Sequence, residues 1–230
     1  MSGGNIIVLR ITCVCGFEFD LENVPEGNEM VCEKCTSIRV LSPIEMRDIA
    51  EGFYLNHKYD VSVKWLLKSA QAGYARAQSN LGVCYANGEG VPQSIRTAIK
   101  WYRKAAKQGY AISQTKLGVC YETGNGVVKD FRKAVFWYKK AAKLGNAWAQ
   151  NNLGQCFLEG KGVQLDLQKA AELFKLAAEQ GNYHGQYNLA LCYLNGKGVT
   201  QDESKAIELM NIASHNGNND AIYWLKNRIK

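Results

Sequence analysis

The sequence predicts a mainly α-helical chain, a solenoid of stacked helix hairpins preceded by a small β-rich module, and three observations carry that prediction. The first is a repeat. Leu81-Gly82-Val83-Cys84-Tyr85-Ala86-Asn87-Gly88-Glu89-Gly90-Val91 returns in close copies at Leu117 to Val127, Leu153 to Val163 and Leu189 to Val199, each 36 residues after the last. A constant offset of this size marks one supersecondary unit that is copied and stacked. The second is apolar spacing of helical period inside each copy, and the third is a change of texture over residues 6 to 41, where short β-rich runs alternate with closely spaced cysteines.

In the first stretch, Ile6 to Thr12 is β-rich, Phe17-Glu18-Phe19-Asp20-Leu21 alternates, and Ile38-Arg39-Val40-Leu41 is β-rich again. Among them stand Cys13-x-Cys15 and, after 16 intervening residues, Cys32-x-x-Cys35. Two close cysteine pairs on tight turns can bring four thiolates round one ion, and a tetrahedral four-cysteine set is what zinc prefers in a structural site. Gly16 fits such a turn because it tolerates positive φ while amides point at sulfur. The segment resembles a zinc ribbon, which implies one structural zinc ion held by Cys13, Cys15, Cys32 and Cys35. It departs from the usual ribbon in its shorter first pair and in Thr36, where glycine is common. An iron–sulfur centre, a disulfide and a bare thiol pair remain open as alternatives. A metal in so small a module is expected to supply much of its folding free energy, and a saturated site leaves no position for zinc chemistry.

Each later unit reads as an antiparallel helix hairpin. In helix A, Leu153, Cys156 and Phe157 stand at i, i+3 and i+4 with Ala149 one turn earlier; in helix B, Ala134, Val135, Trp137, Tyr138, Ala141 and Ala142 lead to Gly145. Between them a Gly-x-Gly-Val loop turns the chain back. Gly82, Gly118 and Gly154, with Ala190 in the last copy, leave room for a neighbouring helix. Trp65, Trp101 and Trp137, then Leu173 and Leu209, are expected to fill the core. Cys84, Cys120, Cys156 and Cys192 share one column on the packed face, where they read as small buried apolar residues in a reducing compartment. Residues 42 to 73 form a shortened first repeat: Ile49 to Trp65 spans 16 residues where Leu81 to Trp101 spans 20, and Asn56-His57-Lys58 replaces the glycine turn. Repeats follow at 74 to 109, 110 to 145, 146 to 181 and 182 to 217. A last helix from Asn218, with Ala221 and Leu225 in helix A columns, ends the chain as a polar cap. The expected domains are thus a ribbon over residues 1–41 and, over 42–230, five helix pairs plus a capping helix.

The motifs Ala-x-x-x-Leu-Gly-x-x-Tyr, Gly-x-Gly-Val and Lys-Ala-x-x-Trp-Tyr-x-Lys-Ala-Ala before the closing glycine resemble the Sel-one-like repeat, a branch of the tetratricopeptide-like solenoids. The resemblance covers residues 43 to 230. It implies a right-handed superhelix that binds other proteins and assembles complexes without catalytic chemistry of its own. If helix A lines the concave face, as in relatives, the partner-facing positions are Asn80, Val83, Asn87, Lys116, Val119, Asn152, Gln155, Glu159, Asn188 and Leu191.

Composition sets further bounds. Residues 93 to 146 hold twelve basic residues against Glu122 and Asp130 in a chain whose net charge is +7. A solvated helix face accounts for this, with docking to an acidic protein surface next and nucleic acid last; the acidic ribbon argues against phosphate binding there. A nucleic-acid-associated regulator and a docking subunit of an enzyme complex are the alternative functions. His57, His184 and His215 have no matched nucleophile and no metal-binding spacing, so no catalytic constellation is read from the sequence. No apolar run approaches the ~20 residues of a membrane span. The N-terminus has no basic region and too short an apolar run for a signal peptide, so a cytoplasmic protein is expected.

Overall fold

Two short strands and then eleven helices are found among the described residues of the computed structural model, which are 11–13, 15, 18–23 and 28–228. The chain divides into two compact units, Met1–Tyr110 and Ala111–Lys230. In the first, β1 (Glu29–Val31) pairs antiparallel with β2 (Ile38–Val40), Met30 opposite Arg39, and Thr12 bridges Glu18. β2 matches the expected run. β1 was not legible as a strand, because its three residues bury only Met30. Of the run Ile6 to Thr12 only the end lies within the described residues; Phe17 and Gly16 lie outside them.

The helices pair as hairpins: α1 (Pro43–Leu55) with α2 (Tyr59–Gln71) and α3 (Ala75–Asn87) with α4 (Ile95–Lys107) in the first unit. The second unit holds α5 (Ala111–Thr123) with α6 (Phe131–Lys143), α7 (Ala147–Glu159) with α8 (Leu167–Glu179), α9 (Tyr183–Asn195) with α10 (Glu203–His215), and the closing α11 (Asn219–Arg228). Their starts are written in the sequence. Ser42 and Glu45 close a capping box around Pro43, and Asp130, Asp166 and Asp202 each accept the amide three residues on. The shortened first turn has no glycine, and His57 takes the left-handed conformation itself at φ +59.

Two close approaches set the repeat geometry. A Cβ placed on Gly118 would lie 2.3 Å from the Tyr138 ring, and one on Gly154 would lie 2.8 Å from Phe174. The glycine face of helix A is therefore the seat of an aromatic ring from helix B. This corrects the expected core column. Trp65 is fully buried, but Trp101, Trp137, Leu173 and Leu209 are only half-buried, and the large buried side chains are their successors Tyr102, Tyr138, Phe174 and Met210. One residue along a helix turns a side chain by roughly 100°, and only the successor points at the glycine. At the last hairpin Ala190 replaces glycine and the flexible Met210 replaces the ring. The second approach is at the loop: a Cβ on Gly162, at φ +70, would lie 2.4 Å from the Phe131 carbonyl oxygen, so this glycine serves both the turn and the stacking of one hairpin on the last.

A glutamine column that the sequence reading did not single out adds polar ties. Buried Gln78 donates to Ala70 O (3.0 Å) and accepts from Gln108 (2.9 Å); Gln186 donates to Ala178 O (3.3 Å) and accepts from Asn216 (3.0 Å). Buried amides with partners at both ends fix register where apolar contacts alone would permit sliding. The column cysteines are buried and form no disulfide. Burial pushes Cys84 and Cys192 up to about 11 and Cys156 up to about 12.

Gly118→Ala is expected to destabilise the chain by about 1–3 kcal/mol through overpacking, despite the roughly 1 kcal/mol that alanine gains in a helix. Denaturant midpoints test this; a variant as stable as the parent would show that the Tyr138 ring yields freely.

Candidate metal centre and helix faces

The ribbon turn between β1 and β2 is built by backbone geometry. Cys32 N–H donates to Ser37 O (2.9 Å) and Thr36 N–H to Cys32 O (2.8 Å), which folds the second cysteine pair back on itself. Thr36 stands where glycine was expected and adopts the left-handed conformation at φ +58, its hydroxyl donating to Cys35 O at 2.7 Å. A β-branched residue there is strained. The turn it makes leaves Cys35 opposite Cys13.

The four sulfurs lie within 4.8 Å of one another, with Cys13 Sγ 3.3 Å from Cys35 Sγ and Cys15 Sγ 3.5 Å from Cys32 Sγ. A tetrahedron with metal–sulfur bonds of ~2.3 Å has edges of about 3.8 Å. The set can therefore hold one metal ion. Ser37 was not anticipated, although it sits only two residues beyond Cys35: its Oγ lies 2.8 Å from Cys13 Sγ and 3.1 Å from Cys35 Sγ. The Cys15 amide, followed by the Ser37 hydroxyl, holds the Cys13 thiol down to about 6, and Ser37 likewise lowers Cys35. The two thiols that are lowered come one from each cysteine pair, in the direction that metal binding requires.

This module rests on the first hairpin. Ile11, Leu21, Met30 and Leu41 share one core with Met46, Ile49, Trp65 and Leu66. Within that core Trp65 Nε1 donates to Leu21 O at 2.8 Å, and at its edge Lys58 pairs with Glu22. Nothing in the sequence marked a bond across such a separation. Trp65→Phe keeps most of the apolar volume but leaves a buried carbonyl unpaired, so a loss of about 1–3 kcal/mol is expected. Thermal melts would measure it, and an unchanged melt would mean that water replaces the indole.

None of the ten helix A positions is buried. Asn87, Lys116, Val119 and Glu159 are exposed, and Asn80, Val83, Asn152, Gln155, Asn188 and Leu191 are half-buried. In the first unit Asn80 and Val83 line a groove of about 340 Å³ with Glu51, Tyr54, Leu55 and Arg76. In the second, Asn188 donates to Asn151 (2.9 Å), which donates to Asn152 (3.2 Å), and Gln155 bonds Glu159. These last residues form one polar strip along α7 and α9.

The Sel1 repeat profile matches residues 48–74, 75–110, 111–146, 149–182 and 184–218. The chain belongs to the Sel1 repeat family. Among solved structures it is similar to a Sel1 repeat protein from Oxalobacter formigenes, at 33% identity and a TM-score of 0.73, over 78% of this chain and 73% of that one. It is also similar to a protective antigen of uropathogenic Escherichia coli displaying the same fold, at 35% identity and a TM-score of 0.71, over 78% of this chain but only 39% of that one. A Sel1 repeat structure from Klebsiella pneumoniae, 19% identical with a TM-score of 0.54 over 82% of this chain and 93% of that one, shares the fold alone. Comparison with curated proteins finds no match.

The Sel1 repeats begin at residue 48, so the cysteine cluster lies outside them. Its support is the geometry of the four sulfurs. No described helix is long and apolar enough to cross a membrane.

Proposed function

We propose that this Sel1 repeat chain is a non-enzymatic cytoplasmic adaptor that recruits a protein partner through the exposed face of its A helices, with a zinc ribbon over residues 1–41 joined to a repeat solenoid over 42–230. The observation that carries the reading is the split within the A helices. Leu81, Leu117, Leu153 and Leu189 are buried, whereas all ten proposed partner positions reach solvent. A face that the fold does not consume is available for recognition. Its mixture of asparagine, glutamine and scattered apolar side chains suits a peptide or protein surface.

Zinc is the ion that best suits the cysteine cluster. Four thiolates in a compact tetrahedral arrangement saturate its coordination, leaving Cys13, Cys15, Cys32 and Cys35 to hold structure. His57 lies in the first hairpin, His184 and His215 lie at opposite ends of the last hairpin's sequence, and His184 packs in an aromatic cluster with Trp148 and Tyr183. Buried column cysteines without a disulfide suit a reducing compartment.

Native mass spectrometry of the full chain is expected to show a mass excess of one zinc ion that a chelator removes and Cys32→Ser abolishes; protein purified without metal, or with an iron–sulfur cluster, would refute the zinc assignment. The docking face has its own test. Asn152→Arg with Gln155→Arg should reduce capture of a specific partner at least about tenfold while the circular dichroism spectrum is unchanged. Equal capture would remove this face, and no specific partner from source lysate, even at low salt, would remove the adaptor reading.

A further inference from the structure

A second surface, on the B helices of the second unit, has charge that the fold leaves unneutralised. Helix α6 carries Arg132, Lys133, Lys139, Lys140 and Lys143 and no acidic residue, whereas α8 balances Lys169 and Lys175 with Glu172 and Glu179. Lys133 is paired with the N-cap Asp130 at 3.0 Å, but among the described residues Arg132, Lys139, Lys140 and Lys143 have no carboxylate within ion-pair reach. Apolar surface lies beside them. Phe136 is 50% exposed with Lys140 Nζ 4.6 Å from its ring centroid, and Trp137 is 5.4 Å from the same ammonium.

Next to α6, the loop joining α7 to α8 forms a groove of about 450 Å³ with Lys139, Phe157, Leu165 and Lys169 in its lining. A second groove of about 360 Å³ shares Val163 and Gln164 with it and reaches Arg132. Two ammonium groups face one ring here: Lys139 and Lys169 lie 5.9 and 5.8 Å from the Phe157 centroid. Lys169 is neutralised by Asp166 at 2.6 Å. In the next hairpin the counterpart of Lys139 is Lys175, which pairs with Glu179 at 3.9 Å. The free cation is thus a property of this hairpin within its unit.

We propose that α6 and the α7–α8 loop dock an acidic peptide segment of a partner, its carboxylates on Arg132, Lys139 and Lys140 and one aromatic or aliphatic side chain in the groove against Phe157 and Leu165. Charge complementarity selects an acidic occupant. The apolar lining selects a peptide over a nucleic acid, because a phosphate backbone gains nothing from Phe157 and Leu165 whereas a peptide side chain does. This site is independent of the helix A face.

Fluorescence anisotropy on the full chain tests it with three probes: a labelled peptide of alternating glutamate and glycine with a central phenylalanine, the same peptide with serine in place of phenylalanine, and a single-stranded oligodeoxynucleotide of equal charge. The phenylalanine peptide is expected to bind at low salt, to weaken as salt rises, and to lose about tenfold in Lys139→Gln with Lys140→Gln. Lys175→Gln, and the helix A pair Asn152→Arg with Gln155→Arg, should leave it unchanged. No binding at low salt, an equal loss in Lys175→Gln, equal affinity for the serine peptide, or tighter binding of the oligonucleotide would each overturn the proposal.

Discussion

The approach of an aromatic ring to a helix glycine is the contact on which the repeat depends. Tyr138 lies over Gly118 and Phe174 over Gly154, closer than any β-carbon would allow. A glycine in a helix interior costs ~1 kcal/mol against alanine, while burying a ring contributes about 1.5–3 kcal/mol. The exchange favours the ring, so each hairpin closes tightly around one large side chain. That closure leaves Trp101 and Trp137 at the edge, where their exposed faces meet lysines: Lys104 lies 4.2 Å from the Trp101 ring centroid. The same packing that forms the core thus supplies the aromatic and basic character of the B helices.

Much of this was legible because repetition makes errors visible. Four copies fix the turns, the closing glycines and the cysteine column, since any residue that serves the fold recurs at the same offset. What repetition cannot give is direction. Trp137 and Tyr138 recur together, and choosing which faces the core requires the helix phase to within one residue, which the pattern alone left open. Unrepeated features were harder still. Strand β1 buries one side chain, and the Trp65–Leu21 bond joins two segments that no local pattern connects. The cysteine pairs were legible because metal ligands must come in fixed chemical types at short spacing, whereas Ser37 was missed because many serines in turns contact nothing of importance.

The cysteine module illustrates how a small segment is made to fold. Among the described residues its buried apolar side chains in this core are Ile11, Leu21, Met30 and Leu41, with Phe19 packed against them, few for an independent core. Two outside supports compensate: thiolates that can hold an ion at one end, and the first hairpin at the other. The dependence runs both ways. A solenoid's first repeat has no preceding repeat to cover it, and here the module covers Trp65 and Leu66, which would otherwise face water. The module that carries the cysteine cluster is therefore also the cap, with Leu21 in contact with Trp65.

The column cysteines and the ribbon cysteines then separate on environment alone. Cys84, Cys156 and Cys192 are surrounded by packed helices, and burial raises their thiols to where the thiolate is absent at neutral pH. Cys13 meets an amide and a hydroxyl and is lowered to about 6. The chain divides its eight cysteines equally between the two settings, and Cys13 is brought down toward the thiolate while Cys84, Cys156 and Cys192 are pushed away from it. Burial in the packed helices and hydrogen bonding at the N-terminal turn thus move chemically identical side chains in opposite directions.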